Sequence, residues 1–335
     1  MTTLLIGNFL SKCQGTIGPT ELMGKRYKKE GRNIIMASFF KNKLLRLLDM
    51  SFKSLFGQYD TISIDVYSSA AMRFATLTSL LAKLRNKKIV LVLHGGGLVD
   101  AYSCKNSTIK RLFERASHIV TPSHFLQNFF VNQGYSVEYI PNTIDLELFS
   151  YKKEKPHNHS ILWVRAFTDN YNPDVAVRAF NKVLEIYPDA RMTMVGPDKG
   201  NLAYVKTLIK ELGIQEKIKL TGRVENAKLP EFYHSHEVYL NTTQYESFGV
   251  ALLEAAACGI PIVSTSVGEI PLIWTNEENI LLADHISEDE LATFIIRLFR
   301  DRDLYQHIQE SAQKNTLKFS WPNVSAQWDD VLTNY

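Results

Sequence analysis

The segment Val238-Tyr-Leu-Asn-Thr-Thr-Gln-Tyr-Glu-Ser-Phe-Gly-Val-Ala-Leu-Leu-Glu254 decides the fold. Its first residues form an apolar run, and Gly249 marks the point where a second apolar stretch begins. The pattern predicts a strand ending near Leu240, a turn, and a helix opening near Gly249. Glu246 then lies in the loop and Glu254 on the first turns of the helix, both at the carboxyl end of a strand, the edge at which open α/β sheets bind ligands. The amides of Phe248, Gly249 and Val250 sit at the helix N-terminus, where unpaired N–H groups and the positive dipole end suit a diphosphate. Acids also occur in a first helical turn for dipole and capping reasons. Spacing alone leaves both readings open.

Outward from this segment, apolar runs alternate with amphipathic stretches. Strands are expected at Leu4–Ile6, Asn33–Ala37, Thr61–Val66, Lys88–Leu93, His118–Thr121 and Val137–Ile140, with helices near 20–30, 41–57, 69–85, 106–115 and 123–133. After the polar stretch Lys152–His159, read as a linker, further strands are expected at 160–164, 191–195, 218–220, 237–240 and 261–264, with helices at 287–300 and 303–314 near the end. This alternation belongs to α/β folds with parallel doubly wound sheets. At 335 residues the chain is too long for one ordinary core. Two domains are expected, 1–150 and 151–318, with a final helix in 319–335 crossing back to the first.

Hydrophobic residues make up 45% and charged residues 22%, an ordinary globular composition. Cys13, Cys104 and Cys258 are widely spaced, without metal-binding or redox spacing, which points to reduced thiols and a cytoplasmic protein. The apolar run near the N-terminus is short, has no basic region before it, and reads as a buried strand rather than a signal peptide. No run approaches the roughly 20 apolar residues of a membrane span.

The longer segment Asn241–Pro271, containing Glu246-Ser-Phe-Gly-Val-Ala-Leu-Leu-Glu254 and Gly268-Glu-Ile-Pro271, resembles the donor-site signature of the family 4 retaining glycosyltransferases. The match extends more weakly over nearly the whole chain. It implies the GT-B architecture, two Rossmann-like domains facing across a cleft, and transfer of a sugar from a nucleoside diphosphate sugar to an acceptor hydroxyl. A UDP-sugar is favoured as donor, with GDP-mannose as the alternative. No metal and no cofactor are expected, the sugar nucleotide being a substrate. The resemblance gives Glu246 the hydroxyls of the donor sugar, Glu254 the ribose and Phe248 to Val250 the phosphates. Ser247 is either a pocket residue or a helix N-cap.

Three further positions complete the expected site. His94 follows the strand Lys88–Leu93 and precedes Gly95-Gly96-Gly97; the family places a histidine here against the donor sugar, although a lone histidine after a strand is often structural. Arg165 ends the strand 160–164, where a guanidinium can grip phosphate in bidentate fashion or merely face solvent. The family commonly has Gly-Arg here and a lysine five residues on; this chain has Val164 and Asn170, so Lys199, Arg223 or neutral donors from Asn170 and Tyr171 are the replacements considered. The loop Gly15-Thr-Ile-Gly-Pro-Thr-Glu21, with Gly18, resembles the family's first glycine-containing loop and is otherwise a plain strand-to-helix turn. Pro141-Asn-Thr-Ile-Asp145 resembles a family segment at the domain junction. Glu269 belongs to a turn that the family also has and is expected at the surface, with contact to acceptor or ribose as the alternative, and Asp301-Arg-Asp303 reads as a helix stop and N-cap.

Charge divides unevenly. Residues 1–150 carry 19 Lys and Arg against 10 Asp and Glu, and the remainder 19 against 25. A basic first half suits an anionic membrane surface or a lipid-linked saccharide acceptor. No recognition helix or aromatic-basic platform supports nucleic acid. The segment Phe39–Phe56 combines an apolar stripe with Lys41, Lys43, Arg46 and Lys53; packing of that stripe on the protein's own sheet is the expectation, membrane-surface placement the alternative. The reading is therefore a cytoplasmic enzyme, peripheral on the inner face of the membrane if that alternative holds, in cell-surface polysaccharide or glycolipid synthesis. The alternatives carried are a sugar-nucleotide epimerase and a non-catalytic two-lobed sugar-binding protein.

Overall fold

The computed structural model describes residues 1–11, 17–68, 71–95 and 97–333, with only the backbone at 105 and 106. The chain forms two compact units, Met1–Thr143 with Trp321–Tyr335, and Ile144–Ser320. In the first, strands β1 (Thr2–Ile6), β2 (Asn33–Ala37), β3 (Thr61–Val66), β4 (Lys88–Leu93), β5 (His118–Thr121) and β6 (Glu138–Tyr139) form one sheet in the order β2-β1-β3-β4-β5-β6. All pairs are parallel. Strands buried on both faces must be apolar at successive positions. Leu4, Ile6, Ile62, Ile64, Ile89 and Leu91 accordingly face one core with Met50, Met72 and Phe130. Their neighbours Leu5, Met36, Val90 and Val92 face the other, where helix Trp321–Thr333 contributes Trp321, Val324 and Trp328.

The second unit repeats the plan with β7 (Ser160–Val164), β8 (Arg191–Val195), β9 (Ile218–Gly222), β10 (Val238–Asn241), β11 (Ile262–Thr265) and β12 (Leu281–Ala283), in the order β12-β11-β10-β7-β8-β9. Again every pairing is parallel. The strand order reverses between β1 and β3 in the first unit and between β7 and β10 in the second. Connections leave in opposite directions at these points, which opens a crevice at the carboxyl ends.

Several expectations need correction. The boundary lies at Thr143/Ile144 instead of after residue 150, because Ile144 and Phe149 are buried in the second unit and the Ile144 amide donates to the Phe319 carbonyl. The expected linker Lys152–His159 is fastened to that unit. Lys155 is buried and donates to the carbonyls of Tyr233 and Cys258, the latter at a helix C-terminus; the buried Glu237 accepts from the amides of Asn158 and His159 and from Arg302. The helix expected from 106 starts at Gly97, the last residue of the glycine run. Strand β12, only three residues long, was not expected. Asp301 caps helix Arg302–Thr316 by accepting from the Leu304 amide at 2.9 Å.

Helix Lys43–Phe56 contradicts the expected packing outright. Its buried residues are Arg46, Met50 and Ser54, and its leucines and phenylalanines are largely exposed. Arg46 is drawn inward by the Phe40 carbonyl and Asn8 Oδ1, and Lys53 by the Met36 carbonyl and Asp49. Among the described residues no helix is long and apolar enough to cross a membrane.

Candidate active site

In the second unit the loop after β7 meets the loop after β10 across the reversal point. Arg165, following Val164, donates through Nε to Asn241 Oδ1 at 3.0 Å; Asn241 donates in turn to Ser264 Oγ on β11 at 2.8 Å. The guanidinium is thereby aimed along the strand ends. Its Nη2 lies 2.9 Å from Glu246 Oε2, with side-chain exposures of 10% and 11%. That approach is an ion pair by distance only, since neither atom has a hydrogen-bond partner in acceptable geometry. Two opposite charges are thus held out of water with their facing atoms incompletely satisfied, an expensive arrangement unless something else engages them. The Tyr171 ring lies 5.1 Å from the Arg165 guanidinium carbon. Gly196, at the end of β8, permits this packing: a Cβ there would stand 1.7 Å from the Arg165 carbonyl oxygen.

Beyond Glu246 the chain turns into helix Val250–Cys258. Gly249 is its N-cap with φ of 88°, a left-handed conformation that side chains resist. No side chain caps this end, so the N-cap alternative for Ser247 is not realised. Glu246 Oε1 accepts from the amides of Ser247 and Phe248 at 3.1 and 3.4 Å. The described residues supply no acceptor for the amides of Gly249 and Val250. Glu254 lies on a helix buried from Leu252 to Cys258 and is itself 8% exposed. Tyr233 donates to its Oε2 at 3.1 Å. Burial raises the Glu254 carboxyl to about 7, the Tyr233 hydrogen bond and the Arg165 charge opposing that rise.

In the first unit Asp65, on β3 beside the reversal point, anchors a different group that reaches to the next strand, β4. His94, after β4, sets its Nε2 3.1 Å from Asp65 Oδ1 near the end of β3, and its ring stacks on Tyr67 with centroids 5.0 Å apart. The same Asp65 oxygen accepts from the Thr20 hydroxyl at 2.7 Å. A pocket of about 20 Å³ beside Thr20, His94, Asn142 and Trp321 has room for little more than one water. Gly18 is the N-cap of helix Pro19–Lys29, and among the described residues a Cβ there would meet nothing within 4 Å.

Residues 147–315 match the model for glycosyl transferases group 1, and residues 17–148 match that for glycosyltransferase family 4. The chain belongs to the glycosyl transferases of group 1. An uncharacterized glycosyltransferase of Methanocaldococcus jannaschii is 30% identical over 173 residues, 51% of this chain and 44% of that protein. N-acetyl-alpha-D-glucosaminyl L-malate synthase of Bacillus anthracis is 26% identical over 259 residues, 73% of this chain and 67% of that protein. The matched stretch thus spans less than half of the first relative's own length. A crystal structure of HepE from Anabaena in complex with UDP and glucose superposes with a TM-score of 0.77 at 17% identity, covering 100% of both chains, and shares the GT-B fold.

Within this glycosyltransferase scaffold, the structure brings Arg165, Glu246 and the start of the Gly249–Glu254 segment together in one unit. Ser247 borders the same loop half-exposed, and Phe248 is buried in the core beneath it. Asn170 ties two loops: its amide donates to the Tyr245 carbonyl at 3.1 Å, and its carbonyl accepts from the Gln244 amide at 2.7 Å. Lys199 and Arg223 are exposed. Gly15 and Gly96 lie outside the described residues. Glu269 is fully buried instead of sitting in a surface turn, and its amide donates to the Glu246 carbonyl.

Sequence reading missed Asp65, Tyr233, Asn241 and Gly196. Asp65 had a usable signal, an acid inside the β-branched run Thr61-Ile-Ser-Ile-Asp-Val66, because a buried carboxylate requires a partner. The other three had none, since their roles arise between elements distant in sequence.

Proposed function

We propose that this glycosyltransferase moves a sugar from a nucleoside diphosphate sugar, a UDP-sugar in preference to GDP-mannose, to a hydroxyl of a saccharide or lipid-linked saccharide acceptor, retaining the anomeric configuration and using no metal or cofactor. The carrying observation is the buried Arg165–Glu246 pair with incompletely satisfied facing atoms. A sugar hydroxyl donating to Glu246 and a phosphate accepting from Arg165 would satisfy both at once. Glu254, on the neighbouring helix, takes the ribose diol. The amides of Gly249 and Val250 and the helix dipole take the diphosphate.

In this reading Arg165 binds the leaving diphosphate more tightly as its charge grows, so its contribution is largest in the transition state. No carboxylate stands out as a covalent nucleophile, which favours displacement on the front face with the leaving phosphate accepting the acceptor's proton. His94, oriented by Asp65, contacts the donor sugar, and the basic first unit supplies the acceptor side. The match to a glucosaminyl L-malate synthase and the fold shared with a UDP-binding protein support this reading.

The test is a panel of UDP- and GDP-sugars assayed by thermal shift and by nucleotide release with and without saccharide acceptors, with chelator in a parallel arm. At 100 times its dissociation constant a donor adds about 2.7 kcal/mol to native-state stability, a shift of several degrees. Release stimulated by acceptor and unaffected by chelator is expected. Conversion of the sugar without an acceptor would instead establish an epimerase.

A further inference from the structure

Helix Lys43–Phe56 is turned inside out. A surface helix ordinarily buries its apolar stripe and exposes its charges. Here Leu44, Leu48, Phe52 and Phe56 are 57–65% exposed, Leu45 is 49% exposed, and Phe39 and Phe40, just before the helix, are 50% and 47% exposed. At roughly 100° per residue, positions 44, 45, 48, 52, 55 and 56 fall within one arc of about 120°. Arg46, Met50 and Ser54 occupy the opposite side, facing the sheet. Scattered exposed leucines need no explanation, but a continuous strip of leucine and phenylalanine does.

The polar inventory narrows what covers it. Arg46 and Lys53 are engaged with the protein, whereas Lys41 and Lys43 are exposed at the helix start. The helix's lone acid, Asp49, is paired with Lys53 at 2.9 Å. The first unit carries 19 Lys and Arg against 10 Asp and Glu. A convex apolar arc edged by lysines on a positively charged unit is the pattern of a helix lying in a bilayer interface.

We infer that this face docks the protein on an anionic lipid surface, with Phe39, Phe40, Leu44, Leu48, Phe52 and Phe56 entering the boundary between headgroups and acyl chains. Insertion supplies most of the attraction and the two lysines the preference for anionic lipid. Of the four basic residues that the sequence reading set beside the stripe, Arg46 and Lys53 are thus engaged elsewhere and only Lys41 and Lys43 are available to lipid. The inference does not depend on donor chemistry.

Cosedimentation of the full chain with phosphatidylcholine vesicles, with and without phosphatidylglycerol, at low and high salt tests it. Binding to anionic vesicles is expected to weaken a few-fold with salt and persist, because screening acts on the lysines and leaves insertion intact. Leu48→Asp with Phe52→Asp should lower partitioning at least tenfold, and Lys41→Ala with Lys43→Ala only a few-fold. Both sites are exposed, and an unchanged melting temperature confirms folding. In Phe52→Trp, brominated lipid should quench the indole. Wild-type protein remaining in the supernatant with anionic vesicles at low salt overturns the inference, as does sedimentation equilibrium showing a dimer that the aspartates dissociate, since a second copy would then cover the strip. Binding abolished by salt would also overturn it in favour of charge alone.

Discussion

The two sheets reverse strand order in the same way but equip the reversal points differently. At β7 and β10, a cation and an anion face each other with incomplete hydrogen bonding, and a carboxyl held near neutrality lies on the next helix. In the first unit Asp65, on β3 beside the reversal, already receives Thr20 and also His94 from the next strand, β4, and the histidine ring is stacked. The first arrangement has bonding capacity to offer a ligand. The second holds one ring still. Under the proposed function, a donor site that must answer charge developing during reaction would use the former, and fixed orientation of a contact residue the latter.

The sharpest break of this contrast is Arg165→Ala. Loss of the cation should lower kcat/KM about a thousandfold and leave Glu246 buried without its counter-ion. Melting temperature should fall more than in the double variant Arg165→Met with Glu246→Gln, which removes both charges. Equal melting temperatures would show that the pair is not energetically coupled. Glu246→Gln alone should lower turnover while nucleotide affinity, measured by calorimetry, changes little.

Glu254→Gln separates stability from binding. The folded carboxyl is raised to about 7 from 4.5, so its contribution to stability is full below pH 4.5 and lost as pH rises through 7. Glutamine cannot ionise. The variant should gain on wild type by an amount on the order of 3 kcal/mol between pH 4.5 and 8, followed as the difference in melting temperature. Nucleotide affinity should move oppositely: in wild type it rises with pH through about 7 as the carboxylate forms, and in the variant it is weaker and flatter across that range.

The smallest effect is expected at Asp65. Asp65→Asn should lower kcat roughly tenfold through a misoriented His94, with nucleotide affinity unchanged. A kcat equal to that of wild type would make Asp65 purely structural.

How much of this could be read from sequence follows from what periodicity records. Eleven of the twelve strands overlap the runs read from sequence, the central ones because both faces of each parallel sheet are covered; the twelfth, the edge strand Leu281–Ala283, was not expected although its residues are apolar and buried. Glu246, Gly249 and Glu254 were legible as a unit because one strand, loop and helix carry all three. Asp65 with His94, and Tyr233 with Glu254, became partners only through tertiary packing. Orientation is likewise silent in sequence. Helices Pro173–Ile186 and Lys43–Phe56 are both amphipathic; the first buries Val177, Phe180 and Val183, and the second buries Arg46. An apolar stripe states that a face exists, while the hydrogen bonds of Arg46 and Lys53 decide where it points.

The central claim, that the second unit's reversal point holds a nucleoside diphosphate through Arg165, is tested most directly by calorimetric titration of UDP and GDP into wild type and Arg165→Ala at pH 8. One of the two nucleotides should bind wild type at a single site and bind the variant at least a hundredfold more weakly. Equal affinity in the two proteins, or no binding of either nucleotide to wild type, would contradict it.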